Sequence, residues 1–170
     1  MASTSPLGAL GRGLVAGLAG TAALTAYQTI VAVRRGSSLK DTVAPDPPDT
    51  WEEAPAPAQV GYRFLNGVFR KHASPEHSAA FTNAVHWSYG AAWGALYGLV
   101  QGTLHSPALT NGAVLGTTVF GSAYVMLPAM DIYDPPWEYS PKTLATDWSY
   151  HLVYGLGVAG AYRAIEALRD

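Results

Sequence analysis

The fold is decided by residues 77–130, HSAAFTNAVHWSYGAAWGALYGLVQGTLHSPALTNGAVLGTTVFGSAYVMLPAM, which contain no Asp, Glu, Lys or Arg. The 10 Lys and Arg and the 12 Asp and Glu of this 170-residue chain therefore all lie outside the stretch. A soluble domain of this size needs charges on the water-facing sides of its helices. A membrane-spanning helix instead needs about 20 mostly apolar residues. The uncharged stretch is long enough for two spans and a short turn.

Extending the same pattern outward predicts one all-α membrane domain over residues 1–170, an integral four-helix bundle. The predicted spans cover about residues 10–33, 79–102, 109–130 and 146–167. The first is interpreted as a retained span because it ends in Arg34 and Arg35 without the small-residue cleavage site of a signal peptide. The short turn after the second span makes spans two and three an antiparallel hairpin.

Three segments lie outside the spans. Residues 34–57 are rich in Pro and are predicted to form an extended surface loop. Residues 59–72 have apolar and basic faces, which predicts an amphipathic helix lying in the membrane interface, or one packed on the span ends. Residues 131–145 form an acidic, aromatic loop.

Glycines recur at helical spacing along the predicted spans and indicate close helix packing, within the chain or between copies as a homo-oligomer. The packing positions are Gly90, Gly94, Gly98, Gly155 and Gly160. A weak internal similarity accompanies them, because HWSY at residues 86–89 matches DWSY at residues 147–150. Two helical hairpins related by a parallel repeat would explain this, and so would coincidence.

The distribution of Lys and Arg predicts the orientation. Seven lie on the side of the two long loops and three on the other side. The excess of positive charge on the cytoplasmic side of membrane proteins then places the long loops in the cytoplasm and both termini outside.

Polar side chains are predicted to converge at the loop side of the membrane. Asp147 and His151 share one face of the fourth span, and His86 lies at a similar depth in the second. The full candidate cluster is His86, Asp147, His151, Asp131, Glu138 and Asn83. Such a cluster could bind a divalent metal, relay protons, or bind a head group or small solute. The same residues could instead be interhelical hydrogen bonds, solvated loop residues and a helix-capping acid.

Composition and motifs exclude several classes of function. The absence of Cys excludes disulfides and thiolate metal sites, and a net charge of -2 offers no basic surface for nucleic acid. No tight metal-ligand spacing, phosphate loop or nucleophile elbow occurs. The Gly-x-Gly-x-x-Gly match at residues 155–160 lies inside a predicted span and indicates packing. We therefore predict no cofactor, no metal and no catalytic residue, which favours a non-enzymatic protein.

The layout resembles the YagU-like group of small, uncharacterised bacterial inner-membrane proteins. The most specific part covers residues 127–153, with Leu127-Pro128 at the end of a span, an acidic Asp-Pro-Pro-Trp loop and His151-Leu152-Val153 opening the last span. This sequence departs from the pattern in placing Arg34-Arg35 after the first span. The resemblance implies a multi-pass inner-membrane protein concerned with envelope or acid stress. It supplies no reaction and no site residues.

Three functions follow as hypotheses. The first is a structural or accessory membrane protein, in which the glycines resist substitution and the polar cluster tolerates it. The second is small-solute or proton transport that uses the His/Asp cluster. The third is a metal-dependent membrane enzyme.

Overall fold

A computed structural model describes residues 5–101 and 106–168, and every regular element in these ranges is helical. The all-α class is thus confirmed. The α-helices are α1 (Pro6–Arg34), α2 (Leu39–Val43), α3 (Ala56–Phe69), α4 (Ser78–Gln101), α5 (Ala108–Ala129) and α6 (Pro141–Ala167). Single 3₁₀ turns occupy Pro75–His77 and Pro136–Glu138. Gly102, which ends the second predicted span, and Arg169, used in the charge count, lie outside the described residues.

Helix-capping residues explain where the helices differ from the predicted spans. α6 begins at Pro141, before the predicted start at residue 146, because the Ser140 hydroxyl accepts a hydrogen bond from the Thr143 amide at 3.1 Å. α1 begins at Pro6 with Ser5 in the same role. The predicted loop at residues 34–57 contains the short helix α2, which Ser38 caps. The predicted amphipathic helix begins at Ala56 and ends at Phe69.

The four long helices pack in the order α4–α1–α6–α5. α1 and α5 run towards one end of the bundle, called here the loop end, where α4 and α6 begin. The short helix α3 packs on α4 at this end. Within the described residues α4 and α5 lack the close backbone packing of the other neighbouring pairs, although they are consecutive in sequence. They meet through side chains, as in the hydrogen bond between the Tyr89 and Ser122 hydroxyls at 3.0 Å. The predicted hairpin of spans two and three is therefore antiparallel in direction but is not a closely packed pair.

Glycines bring two pairs of helices into backbone contact. A Cβ atom on Gly94 would collide with Gly13 and Gly17 of α1. A Cβ atom on Gly155 of α6 would collide with Gly112 and Gly116 of α5. Gly94 follows His86 at the spacing by which Gly155 follows Asp147. The sequence similarity between the two halves therefore extends to their glycine crossings.

Small and aromatic residues occupy the inside of the bundle, and large aliphatic residues face outward. The buried core consists mainly of Ala, Val, Tyr and a few Leu. Exposed large side chains occur along the outer faces of the long helices, among them Leu14, Val15, Leu96, Leu99, Val114 and Val125. Among the described residues, two helices, α1 and α5, are long and apolar enough to cross a membrane, and 28% of the window that meets this criterion is buried in each. α4 and α6, which contain the second and fourth predicted spans, do not meet it.

Candidate functional site

A cavity of about 310 Å³ lies between α4 and α5, at the place where these two helices do not pack closely. α1 and α6 form its floor, through residues such as Thr21, Leu24 and Tyr154. Tyr89 of α4 and Met126 of α5 line it and are also exposed, by 37% and 53%. The cavity therefore faces the outside of the bundle along the gap between α4 and α5.

Side-chain size explains why this gap exists. α1 approaches α6 closely because Gly20 meets Gly157 and Val158 there. When Gly13 and Gly17 are aligned with Gly112 and Gly116, Gly20 of α1 corresponds to Val119 of α5. When His86 is aligned with Asp147, Gly157 of α6 corresponds to Leu96 of α4. Glycine lets two helix backbones approach more closely than larger side chains do, so α1 and α6 pack closely where α5 and α4 lack the corresponding glycines.

Asp147 is the one formally charged side chain that lines the cavity within the described part of the chain. Its Oδ2 atom accepts a hydrogen bond from the Tyr124 hydroxyl at 2.7 Å. Arg35, on the other side of Asp147, donates to the Thr146 hydroxyl at 3.1 Å instead. Among the described residues, the Asp147 carboxylate thus has a hydroxyl partner and no Lys or Arg counterion.

His151 is oriented by the backbone of its own helix. Its Nδ1 atom lies 2.8 Å from the Asp147 carbonyl oxygen, which can only accept a hydrogen bond. Nδ1 therefore carries the proton in the neutral ring, and Nε2 keeps its lone pair. The ring also packs edge-on against Phe120, with centroids 5.8 Å apart.

His86 is oriented by a threonine of α1. Its Nε2 atom lies 3.0 Å from the Thr25 hydroxyl oxygen. That hydroxyl donates its own hydrogen to the Thr21 carbonyl at 2.9 Å, so it accepts from His86. Nδ1 of His86 therefore keeps its lone pair, and both imidazoles line the cavity as hydrogen-bond acceptors.

The structure divides the candidate cluster into two groups. His86, Asp147 and His151 line the cavity together. Asn83 lies on the outer side of α4 and donates to the Ala79 carbonyl, and Asp131 and Glu138 are exposed in the loop after α5. Over residues 5–101 and 106–168, no three His, Asp or Glu side chains are placed to hold a metal ion.

The loop end of the cavity is covered by α3, whose Ala56, Pro57 and Val60 contribute to its wall. Gly61 brings α3 against Phe81 and Val85 of α4. On the opposite side, Arg63 donates hydrogen bonds to the carbonyl oxygens of Met130 and Asp131 at the end of α5. α3 thus bridges α4 and α5, the two helices that do not pack closely with each other.

Trp51 anchors the segment that precedes α3. Its ring stacks on Tyr62 with centroids 4.2 Å apart and meets Phe81 edge-on at 5.4 Å. Its indole N–H donates to the Ala73 carbonyl at 3.0 Å. The outer side of α3 leaves Phe64, Val68 and Phe69 exposed, as an interfacial helix requires.

A tyrosine cluster closes the cavity beside Asp147. The rings of Tyr124, Tyr133 and Tyr139 lie with centroids 5.6–6.2 Å apart. Burial raises the pKa of Tyr133, and the neighbouring Asp147 carboxylate and Tyr139 raise it further. The loop that the sequence marks as acidic and aromatic therefore packs Tyr133 and Tyr139 inward and leaves Asp134, Trp137 and Glu138 exposed.

Sequence reasoning missed Tyr124 and Thr25, the direct partners of Asp147 and His86. One signal was available for Thr25, because Thr21, Thr25 and Thr29 follow one face of the first span at four-residue spacing. Tyr124 has no such signal, since a lone tyrosine in an apolar helix also suits packing or the membrane interface.

Comparison with protein-family models, curated proteins and solved structures finds no match for this chain. The function must therefore be argued from the cavity and its surroundings.

Proposed function

We propose that this chain is a multi-pass membrane protein that binds a small, mostly apolar molecule in the cavity between α4 and α5. The single observation that carries the proposal is this cavity, which apolar side chains line except at Gln28, His86, Asp147, His151 and several hydroxyl groups. Ligand sites in helical proteins are typically apolar cavities of about 300–1,000 Å³ with a few convergent polar groups.

Membrane insertion is supported by the outward direction of the aliphatic residues. Helices in lipid gain their packing from small residues that allow close approach, because lipid removes the hydrophobic drive to bury Leu and Val. The glycine crossings and the exposed Leu and Val of the long helices fit this environment. α4 and α6 would then cross together with α1 and α5, giving four spans with the loop end in the cytoplasm. Recovery of the full chain in membranes after an alkaline carbonate wash tests this, and release into the supernatant would contradict it.

Cavity filling tests the binding function. Ala123 of α5 lines the cavity, whereas Ala92 of α4 is exposed and does not. The full chain in phosphatidylglycerol nanodiscs would be titrated by calorimetry with hexylamine, hexanol and hexanoate, with empty nanodiscs subtracted. We expect saturable binding of at least one probe, abolished by Ala123→Trp and kept by Ala92→Trp. Equal behaviour of the two variants would contradict binding in this cavity.

A structural or accessory role remains the second candidate function, favoured by one observation. Gly90, Gly94, Gly98 and Gly155 pack inside the chain, whereas a Cβ atom on Gly160 would meet nothing within 4 Å. Gly160 is therefore the glycine left for contact with a second copy. A homo-oligomer that forms through this face, together with no probe binding, would favour the accessory role.

The resemblance to the YagU-like proteins stays a hypothesis, and with it an inner-membrane location and a stress-related role. Its most specific stretch, residues 127–153, supplies Leu127, Met130, Tyr133, Asp147 and His151 to the cavity wall. A shared function would therefore involve this cavity.

A further inference from the structure

Four polar side chains of the cavity already donate their hydrogens inside the protein. The Tyr124 hydroxyl donates to Asp147, and the Tyr154 hydroxyl donates to the Gly90 carbonyl at 2.6 Å. The imidazoles of His86 and His151 donate to Thr25 and to the Asp147 carbonyl. What these groups offer to the cavity is therefore their remaining lone pairs.

The formal charge that lines the cavity is negative, so it also favours a ligand that donates hydrogen bonds. Asp147 contributes a carboxylate that forms no ion pair among the described residues. Arg35 and Lys142 lie beside it, but they line a separate pocket on its other side and not this cavity. Gln28 and Tyr133 line it too and can donate as well as accept, but they are neutral. A ligand that brings hydrogen-bond donors and a positive charge would satisfy Asp147 and both imidazoles.

We propose that the cavity binds a primary ammonium group on a short apolar body, with the –NH₃⁺ group held by the Asp147 carboxylate and with His86 and His151 in the same cavity as neutral hydrogen-bond acceptors. An ammonium group has three donors and no acceptor, which matches one carboxylate and two imidazole nitrogens. The apolar body lies along the wall formed by Leu24, Val119 and Met126. This inference deepens the proposed function and rests on it.

The three probes share a six-carbon tail and differ in head group, so the ranking of their affinities tests the inference at pH 7. Hydrogen bonds to a charged group contribute more free energy than those to a neutral group. We therefore expect hexylamine to bind at least about tenfold more tightly than hexanol. Hexanoate should bind most weakly, because its carboxylate would lie beside Asp147. Equal affinities, or a preference for hexanoate, would overturn the inference and leave the proposed function intact. Saturable binding of none of the probes would overturn both.

Asp147→Asn removes the charge while its amide oxygen can still accept from Tyr124. We expect this variant to lower hexylamine affinity at least about tenfold, to that of hexanol, and to leave hexanol binding unchanged. Glu138→Gln is the matched control, because Glu138 is exposed and does not line the cavity. Unchanged amine preference in Asp147→Asn would overturn the assignment.

A second variant covers the case in which Asp147→Asn does not fold. Tyr124→Phe removes the one hydrogen bond found on the Asp147 carboxylate and keeps the ring in the tyrosine cluster. The carboxylate then has only the ligand to satisfy it, so the preference for hexylamine over hexanol should rise. A fall in this preference would count against the proposal.

The ammonium group could belong to a free amine or to a lipid head group. Phosphatidylglycerol nanodiscs contain no lipid ammonium, so binding in them supports the site itself. Adding phosphatidylethanolamine then identifies the source. Loss of hexylamine binding would assign the site to the lipid head group, and retained binding would assign it to a free amine.

Discussion

Replacing Gly94 by Ala tests the packing on which the cavity depends. The added Cβ atom would lie 2.6 Å from the Gly17 backbone nitrogen, whereas ordinary contacts begin at 3.4 Å. α1 and α4 would therefore have to separate by about 1 Å, since neither backbone has a side chain that can move aside. A gap of this size forfeits about a quarter to a half of each dispersion contact along the crossing. Overpacking of this kind typically costs about 1–3 kcal/mol of unfolding free energy.

Gly160→Ala is the matched control on the same kind of helix. A Cβ atom at Gly160 meets nothing within 4 Å, so the substitution keeps only the gain from restricting the unfolded chain, about 0.4–1 kcal/mol. Because Gly94→Ala also gains from restricting the unfolded chain, the two variants should differ by the overpacking cost of about 1–3 kcal/mol. Titration of detergent-solubilised protein with sodium dodecyl sulfate, followed by circular dichroism, measures these free energies. Unfolding free energies that agree within about 0.5 kcal/mol would refute the α1–α4 crossing, because surface substitutions differ by no more than that.

Three further predictions concern the cover of the cavity and its aromatic wall. Arg63→Ala removes the hydrogen bonds to the carbonyl oxygens of Met130 and Asp131. Amide hydrogen exchange in α3 should therefore become several-fold faster, while exchange in α1 stays unchanged. Equal protection of α3 in the variant and the wild type would contradict the role of α3 as a bridge. Trp51→Ala removes the ring stacked on Tyr62 and should lower the unfolding free energy by about 2–4 kcal/mol in the same titration. This is less than the cost of replacing a fully buried Trp, because Trp51 is half-buried. A cost below about 0.5 kcal/mol would show that this contact does not anchor α3. Because the pKa of Tyr133 is raised in the folded protein, its contribution to stability is present below pH 10, the usual tyrosine value, and is lost as the pH rises through the raised pKa. Tyr133→Phe should lower the amplitude of the part of the tyrosinate absorbance titration that lies above pH 10, and a wild-type titration curve in this variant would contradict the assignment.

The all-helical fold could be predicted from the sequence because its signals are local. The uncharged stretch of residues 77–130 contains α4 and α5, and the connecting residues between them are too few for another element. The glycine spacing predicted close helix crossings, and in the structure Gly90, Gly94 and Gly98 all face α1. The start of α6 was placed late because Ser140 and Pro141 form a cap whose effect outweighs the polarity of the residues after it.

The site could be predicted only in part. His86, Asp147 and His151 were grouped from their depth in the spans, and depth follows from position along a helix. Asn83 was grouped with them for the same reason, but the direction of its side chain depends on how α4 is rotated about its axis. That rotation is set by which helix the glycines of α4 meet, and sequence spacing does not name the partner.

The sequence by itself determined the helices, their alternating directions and the small-residue faces through which they pack, because each of these depends on neighbouring residues along one helix. Only the tertiary structure decided the order α4–α1–α6–α5 and the gap between α4 and α5. α1 and α6 approach closely where Gly20 lies against Gly157, whereas α5 and α4 carry Val119 and Leu96 at the corresponding positions. The uncharged stretch that predicts the fold therefore also supplies two walls of the cavity, and the reason they stay apart lies in the helices they pack against.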